Sequence, residues 1–239
     1  ILRCLVGSEM CIRDRPMVHK VGLAPGPKPR RGPNRTTIVD LSPYSRPDRR
    51  TARARSSRTT TGHNALKRPL NVLQWNADGI LKKKVPLSKL LCDEQIDIAC
   101  IQETHLKPKH DYAIRGYDAI RLDRKTYKGG VLILIRSSLP SRGLIDPTNR
   151  ESEIAGADIT IDGDRTLRVY NVYCPPKKSL ALESMEITNA NCLVVGDFNS
   201  HSDRWGYATT DLRGAELEDW EIDENLHLIN KHDDAPTFY

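Results

Sequence analysis

The sequence lacks the marks of several protein classes. Its six cysteines, Cys4, Cys11, Cys92, Cys100, Cys174 and Cys192, form no C-x-x-C pair and no other zinc spacing, which excludes a zinc ribbon or finger. Cys100, Cys174 and Cys192 lie in or beside strand-like runs and read as small apolar core residues. That usage suits a reducing compartment rather than a disulfide scaffold. No apolar run approaches the roughly 18 residues of a membrane span. The opening "ILRCLVGSEMCIRDRP" has no initiator Met and is too broken by charge for a signal peptide. There is no internal repeat. A nuclear or cytoplasmic protein is expected.

What is present is unevenly placed. The 239 residues carry a net charge of +6. The first 70 hold 16 basic and 4 acidic side chains, whereas the remaining 169 hold 21 basic and 27 acidic ones. The basic excess therefore belongs wholly to the N-terminal third. Residues 1–16 read as upstream sequence outside the fold. Residues 17–68, with "GLAPGPKPRRGPNRTT" and "SRPDRRTARARSSRTTTGH", are rich in Pro, Gly, Ser, Thr and Arg. Such a segment buries too little apolar surface to offset its ordering entropy, so a disordered basic arm is expected. Arg30, Arg31, Arg49, Arg50, Arg53 and Arg55 are its candidate nucleic-acid contacts; a solvated tail of no specific use is the plainer alternative.

From Pro69 the texture changes, and about 170 residues suffice for a substantial core. "LNVLQWN" (70–76), "DIACIQE" (97–103), "GGVLILIR" (129–136) and "CLVVGDFN" (192–199) predict strands. "EIAGADITIDGDRTLRVYNVY" (153–173) predicts a hairpin turning at "IDGDR". Helices are expected over 86–95, 179–187 and 213–226, and a further strand over 226–230. Single helices between strands, together with a hairpin, indicate mixed sheets rather than a doubly wound parallel one.

Four of these runs end in polar groups. "QWNADG" ends in Asn76 and Asp78, and "QET" in Glu103. "VYNVYCPP" ends in Tyr173, and "GDFNSH" in Asp197 and Asn199. Each has a plain explanation alone: a turn at Asn76–Gly79, a solvated strand end at Glu103, a core aromatic at Tyr173, a turn or helix cap at Asp197. All of these holding together is a stronger requirement than any one of them. If Asp78, Glu103 and Asp197 share a cleft, two like charges about 4 Å apart repel by roughly 4 kcal/mol at an effective dielectric near 20. Such a cluster holds a proton or a cation. Oxygen ligands beside amides suit Mg²⁺, or Mn²⁺, and phosphodiester hydrolysis is a natural reaction for that set.

Taken together, "QWNADG", "DIACIQETHL", "GGVLILIR", "VYNVYCPP", "LVVGDFNSHSDRWG" and "DLRGAELEDW" resemble the endonuclease/exonuclease/phosphatase superfamily. They resemble in particular the N-terminal endonuclease domain of jockey-type non-LTR retrotransposon polyproteins, over residues 69–239. The resemblance implies an α+β fold, a DNase I-like sandwich of two mixed β-sheets flanked by helices. It implies that Glu103 is the main metal ligand with Asp78 on the metal side, and that Asn76 orients Glu103 and the phosphate. Tyr173 would contact the scissile phosphate or assist the leaving group. Asp197 would activate water and Asn199 would orient it. His201 follows the motif too closely to be the family's histidine and reads as a loop residue. Trp205, Gly206, Arg213 and Gly214 match positions that shape the loop and helix start. The implied partners are DNA and a downstream reverse transcriptase domain. The family's Ser-Asp-His motif is absent before the end at "HDDAPTFY". A C-terminally truncated domain with little or no activity, from an active parent, is therefore expected. A phosphoesterase with another substrate, or a non-catalytic nucleic-acid-binding remnant, stands as the alternative.

Overall fold

The computed structural model describes residues 3–7, 17–21, 68–125, 128–145, 151–162, 165–187 and 191–229. In chain order these form β1 (Arg3–Gly7), β2 (Met17–Val21), β3 (Leu70–Asn76), α1 (Lys84–Asp93), β4 (Ile98–Gln102), β5 (Tyr117–Leu122) and β6 (Val131–Arg136). There follow β7 (Ser141–Ile145), β8 (Glu153–Asp162), β9 (Arg165–Tyr173), β10 (Asn191–Asp197), α2 (Leu212–Asp223) and β11 (His227–Leu228). Single 3₁₀ turns precede α1, at Leu81–Lys83, and α2, at Asp203–Trp205. One sheet has the order β11-β1-β10-β9-β8-β7 and the other β2-β3-β4-β6-β5. Both mix parallel and antiparallel pairs.

The period of two along the central strands builds the sandwich. Leu70 and Val72 of β3, Ile98 and Cys100 of β4, Leu167 and Val169 of β9, and Leu193 and Val195 of β10 meet in one buried cluster. The alternate residues face outward and are covered in turn. Leu73, Trp75, Ala99 and Ile101 pack with Leu87 and Leu91 of α1. Tyr170, Val172, Cys192 and Val194 pack with Leu217 of α2, Phe198 and Trp205. Apolar residues on both faces explain why these strands read as nearly continuous hydrophobic runs.

Several expectations are corrected. Residues 1–16 do not all lie outside the fold: β1 runs parallel to β10, from Arg3↔Cys192 to Gly7↔Gly196, and to β11 on its other side. The basic arm does not begin at residue 17. β2 pairs antiparallel with β3, and its alternating "MVHKV" pattern ends on a buried Val21. The helix expected over 179–187 is one 3₁₀ turn, Leu182–Ser184. Leu180, Leu182 and Met185 are all buried there, and Ala181 has φ +48°. A segment that short gains too few hydrogen bonds to offset helix nucleation, and apolar burial fixes its shape instead. β5 and β7 carry mixed polar sequence with mostly part-exposed or exposed residues, so no clean period marks them. Arg30, Arg31, Arg49, Arg50, Arg53 and Arg55 lie outside the described residues.

Candidate active site

In each sheet, the two strands that end in polar residues run parallel. β3 lies beside β4 with Asn76 opposite Gln102, and β9 lies beside β10 with Tyr173 opposite Asp197. Parallel pairing places both C-terminal ends of each pair on the same edge of its sheet. Along the inner faces the residues grade from apolar to polar toward that edge: Leu70, Val72, Gln74, Asn76 on β3; Leu193, Val195, Asp197 on β10.

Just below the edge, buried amides join the sheets. Gln74 Nε2 donates to Gln102 Oε1 at 2.9 Å, and Gln102 Nε2 to Asn171 Oδ1 at 2.5 Å. Asn171 Nδ2 donates to the carbonyls of Ile101 and Leu132, each at 3.0 Å. Pairing every amide in this way is what makes its burial tolerable.

Above this layer, Asn76 sits between two carboxylates. Its Nδ2 lies 2.7 Å from Asp197 Oδ2 and 3.0 Å from Glu103 Oε1. Its Oδ1 accepts the Asp78 amide N–H at 3.2 Å. The turn and the ligand-holding arrangement therefore coexist, and the turn fixes the amide so that its NH₂ faces the acids. Asp197 repeats the device: Oδ1 accepts the Asn199 N–H at 3.2 Å, and Asn199 Nδ2 donates to Cys174 O at 3.0 Å. Gly196 permits the approach of β10 to β9, since a Cβ there would lie 2.1 Å from Val172 O.

Asp78, Glu103 and Asn199 have φ of +37°, +47° and +48°, and His105 has +54°. Non-glycine residues in this region carry strain of order 1–3 kcal/mol each, held by their surroundings. Tyr173 is buried and hydrogen-bonds Glu103; burial first, then the Glu103 and Asp197 charges, hold its phenol well above the usual range. Its hydroxyl therefore stays a donor at any ordinary pH. Asp78, Glu103 and His105 each offer one ligand atom, all within 4.8 Å of one another. His105 Nε2 is 3.4 Å from Glu103 Oε2 and 3.9 Å from Asp78 Oδ1.

The structure thus brings Asn76, Asp78, Glu103, Tyr173, Asp197 and Asn199 to one end of the sandwich. His105 and Glu153 join them without having been expected. His105 follows Glu103 by two residues, and that nearness to an acid at a strand end was its available signal. Glu153 starts β8 opposite Tyr173 and is buried. His201 Nδ1 stands 3.1 Å from Asp211 Oδ2, with its ring against Tyr207. Trp205 Nε1 donates to Ser200 O at 3.2 Å. Arg213 ties Phe198 O, at 2.6 Å, to the Pro175 carbonyl, at 3.3 Å, and so fixes the loops after β10 and β9 to each other.

A family profile described as endonuclease-reverse transcriptase matches residues 167–239. The endonuclease domain of TRAS1, a telomere-specific non-LTR retrotransposon, superposes with a TM-score of 0.55 at 22% identity, covering 71% of this chain and 77% of that one. An AP endonuclease from Leishmania major superposes with a TM-score of 0.50 at 16% identity, covering 64% and 66%. The chain has the fold of these endonucleases, an α+β sandwich of two mixed β-sheets. In sequence this nuclease-fold domain is similar to a probable RNA-directed DNA polymerase from transposon X-element of Drosophila melanogaster, 29% identical over 169 residues. It is also similar to the RNA-directed DNA polymerase from mobile element jockey of the same species, 25% identical over 176 residues. The first of these alignments covers 67% of this chain and 18% of the relative, the second 71% and 19%, so the chain spans under a fifth of each relative's length. Among the described residues, no helix is long and apolar enough to cross a membrane.

Proposed function

We infer that this domain is a divalent-metal-dependent DNA endonuclease that hydrolyses one phosphodiester at the end of the sandwich. The observation that carries the reading is the Asn76 amide shared between Glu103 and Asp197, with Asp78 beside them. Glu103 and Asp197 converge on a neutral amide, and a divalent cation beside them would neutralise their charge. The donor set fits such an ion. Asp78 and Glu103 supply hard oxygens suited to Mg²⁺, and His105 adds an imidazole that Mn²⁺ also accepts. When bound, the ion supplies Lewis acidity toward a phosphoryl oxygen and neutralises charge at the leaving oxygen.

The chain's own groups do the rest. Asp197, oriented by Asn76 through one oxygen and by the Asn199 N–H through the other, takes the proton of the attacking water and acts as the base. Tyr173, kept protonated, would turn its single O–H from Glu103 to a phosphate oxygen when substrate binds. Asn76 holds Glu103 and Asp197 in fixed relation, so the ion-holding and water-activating carboxylates need little rearrangement at the moment of reaction. The Arg-rich segment contributes phosphate contacts without sequence preference. By similarity to polymerases of mobile elements, the 3′-hydroxyl released at the nick primes reverse transcription by a downstream domain.

Nicking of supercoiled plasmid tests the reading. For the domain joined to the Ser-Asp-His segment of the family it resembles, the expected result is Mg²⁺-dependent relaxation, abolished by EDTA and lowered at least about 100-fold by Glu103→Gln or Asp197→Asn, with little or no cutting by the 239 residues alone. DNA binding that persists in EDTA, with no cutting by the joined domain under any divalent ion, would overturn it in favour of a binding module.

A further inference from the structure

Glu103 stands where regular structure has run out. The β4–β6 ladder ends at Ile101↔Leu132, yet Glu103 follows two residues later with a left-handed backbone. Two other strips of chain hold this stretch. On one side, Ala77 N and Gly79 N donate to Gln102 O and Glu103 O at 2.9 and 2.8 Å. On the other, Thr104 N donates to Gly130 O at 3.0 Å and His105 N to Gly129 O at 2.8 Å.

The Gly129–Gly130 strip is itself held from behind. Gly130 N donates to Glu153 Oε2 at 2.5 Å, and Arg124 forms an ion pair with Glu153 Oε1. The fit admits only glycine. Both residues have positive φ, and a Cβ would lie 2.7 Å from Glu153 Oε1 at Gly129 and 2.6 Å from Thr104 Oγ1 at Gly130. Glu153 is 7% exposed, with Oε2 hydrogen-bonded to Gly130 and Oε1 in the ion pair with Arg124. A buried carboxylate so engaged is poorly placed to serve as a ligand to substrate. It works through what it holds.

We propose that Glu153 is a positioning residue for Glu103, acting through Gly130 and the Thr104–His105 backbone, with Arg124 as its counter-ion. The chain of contacts is short: Glu153 fixes the Gly130 N–H, the Gly130 carbonyl fixes the Thr104 N–H, and Thr104 is bonded to Glu103. Loss of the first contact frees the glycine pair, the most pliant backbone in the loop, and Glu103 loses one of its two walls. Reach, rather than charge, is therefore the property that matters at position 153. The claim about Glu103's ligand role rests on the proposed function; the claim about backbone order does not.

Three substitutions separate reach from charge. Glu153→Gln keeps an acceptor at the same distance. Glu153→Asp keeps the charge but falls one methylene short of Gly130. Glu153→Ala removes both. The first readout is hydrogen exchange of the Thr104 and His105 amides in metal-free protein, which depends on neither metal nor catalysis. Asp and Ala variants are expected to lose at least about tenfold in protection there, with the Ile98–Ile101 amides unchanged, while Gln stays within about threefold of the parent. The second readout is Mn²⁺ affinity. It should fall about 10–100-fold for Asp and Ala, the range for partners that orient metal ligands, and be largely rescued in Gln. If Ala fails to fold, the Asp and Gln pair decides. An Asp variant that matches the parent while Gln is damaged would overturn the proposal in favour of a purely electrostatic role, and three variants alike in both readouts would overturn it outright. A parent chain that binds no divalent ion would sink the proposed function while the exchange data still judged the relay.

Discussion

Asn76 and Asp197, 121 residues apart in sequence, meet at 2.7 Å and join the rims of the two sheets at the point where the candidate ligands gather. The same amide nitrogen reaches Glu103 at 3.0 Å. One neutral side chain therefore spaces two acids that would otherwise repel each other across a partly buried cleft.

Asn76→Asp should be the more damaging of two substitutions at this site. It places a third carboxylate between two others, with like-charge repulsion of about 4 kcal/mol per close contact at an effective dielectric near 20. Asn76→Ala only removes the donor. Nicking rates of the domain joined to its Ser-Asp-His segment are expected to fall at least about 100-fold in both. Thermal unfolding at pH 7 should show the Asp variant less stable than the Ala variant. Added divalent ion should narrow that gap, because a cation offsets the excess charge.

Burial of phenols sets an alkaline limit on stability. Burial raises Tyr170 and pushes Tyr112 up to about 12, while burial and the neighbouring Glu103 and Asp197 carboxylates raise Tyr173 further. A raised folded-state value means that the contribution is fully present below the unfolded phenol's value near 10. It is lost as pH climbs from there through the folded values. Unfolding free energies in urea should therefore fall above about pH 10 by up to about 1.4 kcal/mol per pH unit for each phenol, on top of a loss that begins at about pH 8.5 from the Cys100 and Cys174 thiols, which burial also raises. Tyr173→Phe should flatten that limb by one phenol's share. An identical alkaline slope in the variant would show that Tyr173 ionises normally.

The strand ends could be read from the sequence because each central strand is an apolar run that stops at an acid or amide. Asn76, Glu103, Tyr173 and Asp197 were found that way. Gln74, Gln102 and Asn171 carried a signal that a motif-based reading passes over. They are the last inner-face positions before the site, and a period-two count along "LNVLQWN", "DIACIQ" and "TLRVYNVY" singles them out. Glu153 was hidden because it begins its strand, where an acid looks like the solvated edge of a hairpin. β1 was hidden because its five residues gain a ladder only from β10, which begins at Asn191, and from β11 at His227–Leu228. No local pattern encodes such a pairing.

Asn171 makes the inter-sheet layer testable. Asn171→Leu, nearly isosteric, leaves Gln102 Nε2 without its Asn171 acceptor and removes the donor that serves the Ile101 and Leu132 carbonyls. Gln102 Nε2 keeps a weaker bond to the Cys100 carbonyl at 3.3 Å, so at about 1–3 kcal/mol per buried group left unsatisfied the expected loss is about 1–3 kcal/mol in urea unfolding. Adding Gln102→Leu also takes the acceptor of Gln74 Nε2, so the double variant should be less stable than the single one. A single variant within about 0.5 kcal/mol of the parent would show that water replaces the amide and that the layer is not structural.

The basic segment can be separated from the fold by its salt response. Replacing Arg30, Arg31, Arg49, Arg50, Arg53 and Arg55 together with Gln leaves β2 intact, because Val21 closes that strand. Deletion from residue 17 would instead strip β3 of its antiparallel partner and confuse binding with stability. Each phosphate neutralised releases counterions, with a log–log slope near −0.9. Six lost contacts should therefore reduce the steepness of log K against log salt by up to about 5. Weakening should be uniform across DNA sequences, since phosphate contacts carry no base information. Thermal stability should not change. A slope equal to the parent's would remove these arginines from DNA binding and leave the cleft alone to hold the substrate.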